Sequence, residues 1–193
     1  MDYTKLSLAE VKSGLDDVAR QTQVTFGSLD ARQLNWRPDP KQWSVAQCFE
    51  HLLTANRLML AEAERAMDAA HPRTIWQRLP ILPGILGRLL VRSQAPETKR
   101  KAVAPTKARP ATSDIGADVV QRFIDQTRDC VTRVSAVDEA RAADAIMPSP
   151  FLSLITYSVL DGWRLMVAHD RRHVEQARRV MATAGFPNGS ATV

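Results

Sequence analysis

Apolar residues recur at steps of three and four in four long stretches of the chain, and each stretch predicts a helix with one buried face. Leu8, Val11, Leu15, Val18, Thr22, Thr25 and Leu29 trace the first seam, predicting a helix from residue 8 to about 33. Ser7 and Glu10 form a capping box at its start, each side chain satisfying a backbone donor that the first turn leaves orphaned. Pro38 and Pro40 then break the pattern, in a connector that Trp36 and Trp43 are placed to pin down. A second capping box, Ser44 and Gln47, launches a helix to about residue 70. Ser113 offers an N-cap for a third, whose seam is Gly116, Val120, Phe123, Thr127, Cys130, Val134 and Val137 and which is expected to stop near residue 140. Ser149 as N-cap with Pro150 at the first helical position begins the fourth, which runs to about residue 184, where Gly185 and Pro187 end it. With no convincing strand pattern, the fold class predicted is all-α: a four-helix bundle with a proline-rich basic insertion between helices 2 and 3.

That insertion, residues 71–112, carries six of the eleven prolines. Trp76, Leu79, Ile81, Leu82, Ile85, Leu86, Leu89 and Leu90 suit one or two short amphipathic helices within it. Nine basic residues stand there against one acid, Glu97, so the segment carries +8 and the rest −3 of a net +5. The high isoelectric point therefore belongs to one segment and is weak grounds for nucleic-acid binding. A flap over the bundle end or a homodimer surface is expected in preference to a membrane-surface helix, and no reading of DNA.

Length and composition fit one domain over residues 1–193, with 188–193 a loose tail. No run of about 18 apolar residues appears and the N-terminus lacks the form of a secretory signal, so a cytoplasmic location is expected. Cys48 and Cys130 form no C-x-x-C pair and suit reduced, packed thiols, though Cys48 lies one turn before His51.

The candidate chemistry lies in the fourth helix. His169 and His173 are four apart, one turn above the other on a helix, on a stripe with Ile155, Val159, Gly162, Met166, Ala177 and Val180, while Arg164, Arg171, Glu175, Arg178 and Arg179 fall opposite. Two imidazoles in that register suit a single metal ion, although inward histidines are also ordinary hydrogen-bonded core residues. A third ligand must come from His51 or His71. His51 shares the seam of helix 2 with Cys48, Ala55, Leu58, Met59 and Glu62, and bundle cores build metal sites from facing helices. His71, beside Pro72 at the break, is not expected to be a ligand. Glu62, three turns from His51, is the one carboxylate on that face and a distant candidate for general base.

The segment Trp43-Ser44-Val45-Ala46-Gln47-Cys48-Phe49-Glu50-His51-Leu52, followed much later by His169-Asp170-Arg171-Arg172-His173-Val174-Glu175-Gln176, resembles the DinB-like superfamily of metal-binding four-helix bundles. The Pro150-Phe151 entry to the last helix is similar to theirs too. The resemblance spans nearly the whole chain, except the enlarged insertion. It implies a divalent metal, zinc or nickel, held by His51, His169 and His173, with Gln176 in the outer shell. It also implies either a metal-dependent thiol S-transferase or hydrolase, with a small-molecule substrate and a low-molecular-weight thiol as possible co-substrate, or a non-enzymatic, stress-associated metal-binding bundle. It leaves the catalytic residues and the substrate unassigned.

Overall fold

The computed structural model describes residues 1–68, 82–98, 104–112 and 114–187; His71, Trp76, Ser113 and the tail from residue 188 lie outside the described residues. Four long helices make the bundle: α1 (Leu8–Phe26), α3 (Val45–Met67), α5 (Val119–Ser135) and α7 (Val159–Met181). The neighbours around the bundle are α1 with α5, α5 with α3, α3 with α7 and α7 with α1. Helices successive in the chain, α1 with α3 and α5 with α7, thus face each other across the diagonal. Shorter elements fill the connections: α2 (Ala31–Asn35), α4 (Leu82–Gln94), α6 (Glu139–Asp144) and a two-stranded antiparallel hairpin, β1 (Ile146–Pro148) with β2 (Thr156–Ser158). No helix among the described residues is long and apolar enough to cross a membrane.

The helix starts follow local chemistry. At α1, Ser7 Oγ accepts from the Glu10 N–H while Glu10 accepts from the Ser7 N–H at 2.7 Å. Ser44 and Gln47 do the same for α3 at 3.1 and 3.0 Å. A third box, Asp30 with Gln33, starts α2 and explains why the first helix ends at Phe26 rather than near residue 33. Similarly, Asp138 caps α6 with bonds to the Ala140 and Arg141 N–H groups, so the helix expected to reach residue 140 divides at Ser135.

The largest departure is at the last helix, which begins at Val159 and not at Pro150. Ser158 is its N-cap, accepting from the Asp161 N–H. The stretch before it pairs instead, Met147 opposite Tyr157, because Thr156 and Tyr157 favour extended backbone and both are buried. Ser149 caps the hairpin loop, its hydroxyl accepting from the Phe151 and Leu152 N–H groups. Pro150 and Phe151 therefore belong to that loop.

Part of the basic insertion is helical. α4 packs on α7 and on β2, and the approach depends on Gly87: a Cβ there would lie 2.5 Å from Asp161 Oδ2 and 3.0 Å from Asp161 Cβ. Asp161 is buried and held by Arg164 at 2.9 Å, so it has little room to yield. Gly87→Val is expected to destabilise the chain by about 1–3 kcal/mol. Urea unfolding measures it, and an unchanged midpoint would mean that α4 does not seat on α7.

The core falls into two apolar clusters. One gathers Leu15, Met59, Cys130, Trp163 and Val167; the other gathers Phe26, Phe49, Phe123, Val174 and Ala177. Each helix crosses from one to the other, and the crossings on α3, α5 and α7 are polar. Asn56 marks it on α3, Thr127 on α5, and His169, Asp170 and His173 on α7. A polar layer through the middle of a bundle is costly to bury unless its groups are partnered or bind something.

Candidate metal centre

α3 and α7 are neighbours, and their facing turns bring His51, His169 and His173 together. Ring centroids lie 4.6 Å apart for His51 and His173, 4.6 Å for His169 and His173, and 5.1 Å for His51 and His169. One nitrogen from each ring falls within 4.8 Å of the others. The closest approach, His51 Nε2 to His169 Nε2, is 3.2 Å. Two nitrogens bound at about 2.0–2.1 Å to one ion sit about 2.9 to 3.4 Å apart for angles between 90° and tetrahedral. That spacing is therefore already the spacing of co-ligands.

The tautomer of His51 is set by its other nitrogen. Nδ1 lies 2.6 Å from the carbonyl oxygen of Ala108, which can only accept, so Nδ1 carries the proton and the Nε2 lone pair faces the cluster. Such a carbonyl bond behind an imidazole is the usual partner of a metal-ligating histidine. Ala108 arrives from the end of the basic insertion, a short 3-10 turn over Thr106–Ala108. That strap is tied to α3 twice more, by Gln47 donating to the Ala111 carbonyl at 2.8 Å and by Glu50 accepting from the Ala111 N–H. Nothing in the periodicity of the chain pointed to these bonds.

Burial holds all three rings neutral. It lowers the pKa of His51, against the pull of the Ala108 bond. It takes His169 well below its ordinary value, with the mutual repulsion of His173, His51 and Arg172 adding to it. It takes His173 down to about 3, assisted by the charge of His51 and opposed by the nearby Gln176 side chain. The Nδ1 of His173 is buried without a hydrogen-bond partner. Three neutral imidazoles, converging lone pairs and one orphaned ring nitrogen make a donor set that fits a borderline divalent ion. Trp43 closes one side, its ring stacked on His173 at 5.7 Å and tilted against His51 at 5.0 Å. Trp36 anchors the other end of the connector on Phe186.

Other expected participants stand apart. Cys48 is fully buried in the second apolar cluster, where burial pushes its thiol up to about 12, so it is a core residue. Glu62 pairs with Arg65 at 3.0 Å and does not line the cleft that holds the histidines. Arg164, assigned to the outer face of the last helix, instead folds inward to the Leu6 carbonyl and Asp161. The stripe drawn through His169 and His173 is buried at Val159, Gly162, Met166, His173, Ala177 and Val180, but neither histidine sits at the centre of the helix's buried face. Asp170 does, fully buried, with Asn56 Nδ2 donating to both of its oxygens at 3.0 and 3.1 Å. Burial raises its pKa to about 7. His169 lies at the edge of that face, half-buried, and opens toward the cleft.

The cleft has a volume of about 1330 Å³ and is walled by α3, α4, α7, the hairpin loop and the strap. YuaE, an uncharacterized protein of Bacillus subtilis (strain 168), is 24% identical over 165 residues, covering 83% of this chain and 90% of its own length. No solved structure matches the chain. A sequence profile of the DinB superfamily matches residues 15–177, a span that holds α3, α5, most of α1 and α7, and the three clustered histidines His51, His169 and His173. The chain belongs to the DinB superfamily.

Proposed function

We propose that the chain is a metal-dependent enzyme of the thiol S-transferase or hydrolase kind, working from a divalent ion, zinc or nickel, at His51, His169 and His173. The observation that carries this is the position of the three imidazoles: they converge on the floor of an open cleft and not in a closed core. Structural zinc sites are closed by four protein ligands, whereas three protein ligands beside a cavity leave a coordination position for a reactant. When bound, such an ion supplies Lewis acidity, depressing the pKa of a thiol or water so that a nucleophile forms near neutral pH.

The chain's own residues do the rest. Ala108 holds His51 in the tautomer that presents Nε2, Trp43 fixes the planes of His51 and His173, and Gln176 steadies His173. The cleft walls exclude bulk water from one side of a reactant. Among the described residues no carboxylate joins the histidine cluster as a general base, which favours chemistry in which the ion itself generates the nucleophile.

The test is a screen of metal-loaded protein against electrophiles in the presence of glutathione, mycothiol or bacillithiol, and against esters and amides. Turnover above the His169→Ala background for at least one pairing is expected. Rates equal to that background for every pairing would leave a metal-binding bundle without turnover.

A further inference from the structure

The cleft is not electrically symmetric about the histidines. The polar residues of α7 that line it run in the order His169, Arg172, His173, Gln176 and Arg179, between Leu165 and Val180. On the Leu165 side the wall is apolar, with Met59, Leu90 and Ile155. On the other side Arg37 and Lys41, from the connector that carries Trp43, join Arg172 and Arg179. Over the whole lining five cations, the fifth being Arg109, face two acids, Asp39 and Glu97.

Two of these arginines are set for a ligand. Arg172 donates to the Ser93 carbonyl at 3.2 Å, which fixes its guanidinium against the end of α4 at the cleft edge. Arg179 is exposed and makes no ion pair among the described residues, whereas the flanking Arg171 and Arg178 pair with Asp17 and Glu175. Like charges gathered along one wall cost free energy that an anion recovers.

We propose that this half of the cleft is an anion subsite, and that the substrate is an organic molecule ending in a carboxylate or phosphate held by Arg179 and Arg172. The reacting atom lies at the three-histidine cluster. Arg179 lies six positions after His173, about 9 Å along the helix, so the anionic end is several bonds from the reacting atom. Its apolar remainder faces Leu165, Met59, Leu90 and Ile155. The role of the cluster rests on the enzymatic function proposed above; the subsite is tested apart from it.

Cobalt-loaded full chain is titrated calorimetrically with 6-mercaptohexanoate and with 6-mercaptohexan-1-ol, which differ in the terminal charge. The carboxylate is expected to bind about tenfold more tightly, the effect of one charge-assisted contact. Arg179→Gln should erase the difference and Arg179→Lys restore most of it, while a phosphate-terminated thiol ranks the two anions. Equal affinities, a difference that survives in Arg179→Gln, or binding of neither thiol would overturn the subsite. The visible spectrum of cobalt reports separately whether sulfur reaches the ion. A charge preference without a spectral change keeps the subsite and sinks thiol activation; a spectral change with no preference does the reverse.

Discussion

His173→Ala is expected to lose stoichiometric metal while keeping its fold. Structural zinc sites with four protein ligands gain about 10–16 kcal/mol, so one ligand is worth roughly 2.5–4 kcal/mol, on the order of a hundredfold in affinity or more. Purified wild type supplied with zinc or nickel should therefore hold about one ion per chain by elemental analysis, and the variant almost none at the same free metal. Misfolding is a poor alternative explanation for such a result. The Nδ1 that the substitution removes is buried with no partner, and deleting an unsatisfied polar group relieves a desolvation penalty. The metal-free variant should thus match or exceed metal-free wild type in urea. Absence of metal from wild type after supplementation, or equal metal in the variant, would end the three-histidine assignment.

The bundle was legible because its signals are local. Seams at steps of three and four and the boxes at Ser7 and Ser44 place the starts of α1 and α3 to the residue. The errors came where a second local signal competed. Asp30 and Gln33 form a box as good as Ser7 and Glu10, and it cuts α1 short, but the seam runs on through Leu29 and masks it. Ser149-Pro150 is an acceptable helix start by residue type; the pairing of Met147 with Tyr157 decides against it, and pairing is a long-range choice that spacing does not carry.

The site divides in the same way. That His169 and His173 share a face follows from their spacing, and His51 lies on the seam of its own helix. What spacing alone left out is the second stripe that α7 buries. Trp163, Val167, Asp170, Val174 and Ala177 form a stripe as regular as the one drawn through the histidines, and an aspartate at its centre argued against choosing it. The structure buries that aspartate by giving it Asn56, a partner one helix away. The carbonyl of Ala108 was equally out of reach, since a backbone acceptor delivered by an irregular strap leaves no mark in residue type.

Acid should release the metal and unfold the chain over one pH range, well under 6.5. The imidazoles of His51, His169 and His173 have folded-state pKa values below the 6.5 they regain on unfolding. The native state thus binds fewer protons than the unfolded chain, and stability that is complete above pH 6.5 falls as pH drops toward the folded values. At about 1.4 kcal/mol per pH unit, His173 alone removes roughly 2 kcal/mol by pH 5. Asp170 works in the opposite direction. Its pKa is raised from 3.8 to about 7, so between those values the native state binds the extra proton, and acidification favours the fold until the unfolded carboxylate is protonated too. Three depressed bases outnumber one raised acid, so net loss is expected below pH 6.5. Asp170→Asn, which retains a partner for Asn56, removes the opposing term and should steepen that loss. In the metal-loaded protein the same desolvation keeps protons from competing with the ion until the fold gives way. Release followed with a chelating dye should then coincide with loss of helical circular dichroism. Metal retained at pH 3, or released near pH 6.5 while the helices persist, would mean that the ligands are not these buried, neutral histidines.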